Sequence, residues 1–154
     1  MPVAAGMLLS RQIGTHNGGG AMENTIVWAD IPVSDMDRAI KFYSAVLQQE
    51  IKTVEGMDGV ALIAPPPGLD PSQMQGPMPV SFDLALSENQ KPSTEGCTIY
   101  LNSGGDPEGM IQRAVDAGGK IQMPVTDMGQ MVGSIGFFLD SEGNRIGVHK
   151  PPKL

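Results

Sequence analysis

His149 is the imidazole in this chain best placed to do chemistry, because an unperturbed histidine titrates near neutrality and can act as a general base or hold a ligand carbonyl. It closes the run 137–149, FFLDSEGNRIGVH, in which two apolar stretches flank the polar turn Asp140-Ser141-Glu142-Gly143-Asn144. A strand sends alternate residues to opposite faces, so Arg145, Gly147 and His149 share one face while Ile146 and Val148 share the other. Asp30 and Asp83 stand in two further alternating runs, on the side opposite the apolar one, where a carboxylate can bind a cation or orient a substrate. Thr98, Tyr100 and Asn102 line up a hydroxyl, a phenol and an amide on one strand face, and Trp28 would add an aromatic wall to a small-molecule pocket. Each has a plainer reading: His149 as a strand-end histidine beside Pro151, the two acids as solvated sheet-edge charge, Trp28 as a core plug.

The elements that must position these groups follow from periodicity. TIVWADIPV at 25–33 alternates as a strand with Val27, Ala29, Ile31 and Val33 on its core face. SDMD at 34–37 reads as a capping box led by Ser34, and Met36, Ile40, Tyr43 and Leu47 follow as the stripe of an amphipathic helix. Strands are expected at 50–54, 59–64 and 80–86, with Val80, Phe82, Leu84 and Leu86 toward the core. The proline-rich run 65–79 between the last two is too long for an ordinary connection. After a polar linker at 87–96 the pattern restarts. A strand is expected at 97–102, a helix opened by Asp106-Pro107 and ended by Gly118 with Met110, Ile111, Ala114 and Val115 buried, then strands at 120–125, 136–139 and 145–149. Both halves thus read β-α-β-β-β, an internal duplication.

Composition limits the function. At 154 residues and 40% apolar, the chain supports one well-buried core. A net charge of −7 and a pI near 4.6 argue against nucleic acid and suit a neutral or cationic ligand better. No run approaches the roughly 18 consecutive apolar residues of a membrane span. The single Cys97 cannot form an internal disulfide, which fits a reducing cytoplasm, and its apolar neighbours point to a buried structural thiol. Residues 1–24 read as a flexible N-terminal extension holding Gly18-Gly19-Gly20 and a solvated His16, and Met22 could itself start a chain. The units then run 25–86 and 97–151. No Ser-His-Asp order, phosphate-binding glycine loop or paired-cysteine spacing occurs.

Two tandem βαβββ units, one opening with IPVSDMDRAIKFY and the other closing with FFLDSEGNRIGVH, resemble the glyoxalase/bleomycin resistance/extradiol dioxygenase group, the vicinal oxygen chelate superfamily. The resemblance implies an α+β fold in which the modules pair into an incomplete mixed barrel around a cleft, and homodimers are common among such proteins. It also implies a divalent metal held by up to four His or Glu side chains, one from the first and last strand of each copy. Those positions fall here on Trp28, Thr98 and Gly147, with the fourth on the strand that holds Asp83. Trp, Thr and Gly do not supply the imidazole or carboxylate donors such a site needs, so no metal and no cofactor are expected.

Three readings remain open. In the first, a metal-independent member sequesters or senses a small neutral or cationic organic molecule in a cleft lined by Trp28, Asp30, Asp83, Thr98, Tyr100 and His149. The second is a lyase- or isomerase-like enzyme in which His149 does acid–base work beside Asp83 or Asp30. The third is a dimeric scaffold that contacts a protein partner through the 65–79 loop.

Overall fold

A computed structural model describes residues 26, 28–64 and 80–152. The 1–24 extension with His16, the 65–79 loop and the side chain of Trp28 lie outside the described residues. The chain folds as α+β. In order, it runs β1 (Trp28–Pro32), α1 (Met36–Leu47), β2 (Ile51–Val54), β3 (Met57–Ile63), β4 (Ser81–Ala85), β5 (Tyr100–Asn102), α2 (Pro107–Asp116), β6 (Lys120–Asp127), β7 (Ser134–Leu139) and β8 (Arg145–Lys150).

These strands make two four-stranded mixed sheets, β1-β4-β3-β2 and β5-β8-β7-β6. Each has its first strand parallel to its last and the remaining pairs antiparallel, so the duplication is visible in the topology itself and neither sheet closes into a barrel. One apolar core spans both units, joining Ile31, Phe42 and Leu84 to Ile111, Phe138 and Val148. The aromatic pair of α1 bridges them: Phe42 packs on Phe138 of β7 with centroids 6.0 Å apart, and Tyr43 on Phe82 of β4 at 5.7 Å.

Several local expectations shift. The cap of α1 is Asp35, whose carboxylate accepts from the Arg38 amide at 2.9 Å, and not Ser34, whose hydroxyl is drawn away to Glu142. The buried face of α1 centres on Ala39, Phe42, Tyr43 and Val46, while Met36, Ile40 and Leu47 flank it, because α1 must meet both β4 and β7. Val80 and Leu86 are exposed instead of buried, since β4 ends at Ser81 and Ala85. β3 begins at Met57, two residues ahead of the expected start at 59, and only 100–102 of the expected 97–102 strand pairs. α2 matches its start and stop signals, with Asp106 capping Gly109 at 3.0 Å and Gly118 at φ +100° just beyond the end, and it buries Met110, Ile111 and Ala114 as expected while Val115 is only half-buried.

Candidate functional site

The turn at 140–144 knits the two units together. The buried Asp140 carboxylate accepts from the Tyr43 hydroxyl at 2.6 Å, from Asn144 Nδ2 at 2.8 Å and from the Glu142 and Asn144 amides. Burial first, and then the Asp140 charge, raise the Tyr43 phenol well above its ordinary range, so it stays a donor. Asn144 Nδ2 also donates to the Pro32 carbonyl at 2.7 Å. The Glu142 side chain is fully buried and accepts from Ser34 N and Oγ, Asp35 N, and Arg38 Nε and Nη2 at 2.8 to 3.0 Å. Burial alone would raise its carboxyl, but these hydrogen bonds from Arg38 and Ser34, with one from Ser141, outweigh it and bring the pKa from 4.5 to about 2.

That depression has a sign. A carboxylate whose folded pKa lies below its unfolded one stabilises the fold above the unfolded value, and the stabilisation is lost as pH falls through the folded one. Glu142→Gln is therefore expected to lower stability by about 2 kcal/mol at neutral pH, the scale of a charged hydrogen bond. Urea titrations should show the gap to the parent narrowing between pH 4.5 and about 2. A gap independent of pH would contradict this role.

On the second sheet, Tyr100, Gly147 and Phe137 stand in register across β5, β8 and β7, on the face opposite the core residues Ile146 and Val148. The Tyr100 ring lies directly over Gly147, where an added Cβ would meet its Cδ1 at 2.4 Å. Tyr100 meets Phe137 edge-on at 5.6 Å, and the Arg145 guanidinium sits 3.9 Å from the Phe137 centroid as a cation–π pair. Arg145 Nη1 donates to the Thr98 hydroxyl at 3.2 Å. His149, at the end of the same face, has Nε2 2.7 Å from the Val132 carbonyl. A carbonyl only accepts, so this contact places the ring proton on Nε2 and leaves any acid–base work to Nδ1.

On the first sheet, Asp30 and Asp83 are register partners across β1 and β4. Asp30 is exposed and accepts from Gln90 Nε2 at 2.9 Å, whereas Asp83 is only 6% exposed. Asp30 paired with Asp83 repeats the pairing of Tyr100 with Gly147, which makes Asp83 the counterpart of Gly147 in the first copy.

Where the two sheets approach one another, a cavity of about 200 Å³ is lined by Asp30, Ile31 and Pro32 of β1 and by Asn144, Arg145 and Ile146. Alternate residues of the connecting segment, Lys91, Ser93, Glu95, Cys97 and Ile99, complete it. The segment is held by Ser93, whose amide donates to Asn144 Oδ1 and whose carbonyl accepts from the Arg145 amide. Cys97 is exposed here and not the buried thiol expected, because Cys97 precedes the strand it was assigned to. Of the five expected ligand-binding residues with described side chains, Asp30 lines this cavity; Asp83, Thr98, Tyr100 and His149 do not. Arg145 and Phe137 carried no expected role. The alternation that placed Arg145 beside Gly147 was the available signal, whereas the cavity-facing Lys91, Ser93 and Glu95 were hidden by the linker-like composition around them.

The duplicated 1-4-3-2 sheet order, with the 140–144 turn locked onto the start of α1, coincides with a family model for the glyoxalase/bleomycin resistance protein/dioxygenase superfamily that matches residues 25–148. The chain belongs to this superfamily. No curated protein matches it in sequence. Among solved structures it is similar to a glyoxalase/bleomycin resistance protein from Albidiferax ferrireducens T118, with 18% identity and a TM-score of 0.57 over 81% of this chain and 98% of that one. A glyoxalase-related enzyme from Fulvimarina pelagi gives 14% and 0.56 over 80% and 86%. An antibiotic binding protein from Streptomyces sp. CB03234 gives 20% and 0.52 over 83% and 96%. At these identities the likeness establishes the fold.

The superfamily's metal site does not fit the residues present. Of the four positions that the resemblance assigns to it, Trp28, Thr98 and Gly147 lack imidazole and carboxylate, and Thr98 is engaged by Arg145. A side chain at 147 would have to displace the Tyr100 ring. Asp83 is the one carboxylate among the four, and among the described residues no three His, Cys, Asp or Glu side chains converge as a metal site. Among the described residues no helix is long and apolar enough to cross a membrane.

Proposed function

We propose that this chain is a metal-independent member of the superfamily that sequesters or senses a small neutral or cationic organic molecule, needing no cofactor. The observation that supports this reading is the Tyr100 ring seated over Gly147, the position where the resemblance expects a metal-binding carboxylate. The acidic balance of the chain suits such a ligand, and the seam between the sheets offers it a small polar-rimmed cavity. We read the protein as cytoplasmic, on its single cysteine, and as a homodimer, a reading supported by exposed apolar residues around β6 such as Ile121, Met128 and the 96% exposed Met131.

A thermal-shift screen tests the proposal, because a ligand selective for the folded state raises the melting temperature by mass action. Neutral or cationic organic compounds are expected to raise it equally with and without EDTA, and manganese, iron, nickel or zinc alone are expected to leave it unchanged. Stabilisation seen only in the presence of a divalent ion would overturn the reading.

A further inference from the structure

We propose that the cavity at the seam binds a zwitterion of amino-acid size, its carboxylate facing Arg145 and Lys91 and its ammonium group facing Asp30 and Glu95. The inference rests on the small-molecule reading above and names the class of molecule.

At about 200 Å³ the cavity is smaller than the roughly 300–1,000 Å³ of pockets that take drug-sized ligands, so the occupant is small. Its lining carries two cations and two anions, and among the described residues none of the four is in an ion pair. A simple anion would leave Asp30 and Glu95 unmatched and would approach an acidic molecule; a simple cation would leave Arg145 and Lys91 unmatched. A zwitterion matches both signs and carries no net charge into a chain of −7. The existing partners leave capacity for it. Arg145 has five N–H donors, of which Thr98 takes one while the flat face of the guanidinium packs on Phe137 and leaves the other in-plane donors available, and the Asp30 carboxylate accepts from Gln90 at one oxygen. Ile99 and Ile146 supply an apolar wall, which favours an aliphatic side chain on the ligand.

Calorimetric titration of the full chain with the twenty common amino acids tests this, with L-leucine compared against 3-methylbutylamine and 4-methylpentanoate, which keep its apolar body but lose one charge each. At least one aliphatic amino acid is expected to bind about tenfold or more tightly than its singly charged analogues. Asp30→Asn should weaken the amino acid but not the deaminated acid, and Lys91→Gln should weaken the amino acid but not the amine. Both positions are exposed, so neither variant threatens the fold. Failure of all twenty to bind at millimolar concentration, or equal binding of a singly charged analogue, would overturn the proposal. Repeating the titration with EDTA separates the two readings. Amino-acid binding that EDTA abolishes would overturn metal independence and leave the zwitterion class standing; EDTA-insensitive binding of other organic compounds alone would do the reverse.

Discussion

Asp140→Ala is expected to lower stability by about 3 kcal/mol, because it leaves a buried phenol and two backbone amides without their acceptor and takes from the buried Asn144 amide one of its two. For a chain of this length that corresponds to a fall in melting temperature of roughly 10 °C. The loss should be larger than for Tyr43→Phe, which removes one donor and leaves the carboxylate its other three partners. Asp140 connects α1 of the first unit to the β7–β8 turn of the second, so the variant should also weaken the attachment of Glu142 to Ser34 and Arg38. Calorimetry of the two variants checks the order, and equal melting temperatures for parent and Asp140→Ala would contradict it.

Phe138→Ala is expected to have an effect of similar or greater size, about 4 kcal/mol, since Phe138 is fully buried and its ring meets Phe42 of the other unit. The form of the transition matters as much as its midpoint. With one core shared between the units, the variant should unfold in a single step, reported at the same midpoint by far-ultraviolet and near-ultraviolet circular dichroism. Two separated transitions, one of them at the parent's midpoint, would mean that the units fold independently.

Much of the architecture is written locally and was legible for that reason. Period-two and period-3.6 patterns marked most of the strands and both helices, and Asp106-Pro107 marked the start of α2 to the residue. The repeat of those patterns after residue 96 carried the duplication and with it the superfamily. What the sequence did not disclose depends on partners far along the chain. Ser34 looks like a cap until Glu142, 108 residues away, takes its hydroxyl. The helical stripe of α1 was placed slightly off because Phe42 answers to Phe138 on the second sheet as well as to its own.

The site divides in the same way. That Trp28, Thr98 and Gly147 offer neither imidazole nor carboxylate was legible from residue types alone. That Tyr100 would lie over Gly147 and Arg145 over Phe137 needed the register of three strands. His149 was legible as a residue on the right face but not as one held by the Val132 carbonyl, because that contact comes from the turn preceding β7. Cys97 was misplaced by its apolar neighbours, which belong to a segment running beside the strands and not within them.

Metal independence is the claim on which the functional account turns, and it is tested most directly by elemental analysis of protein purified without chelator and then dialysed against manganese, iron, nickel or zinc. The account predicts a divalent-metal content well below one ion per chain in every case, unchanged by Asp83→Asn. A stoichiometric ion that survives dialysis in the parent and is lost in Asp83→Asn would contradict it.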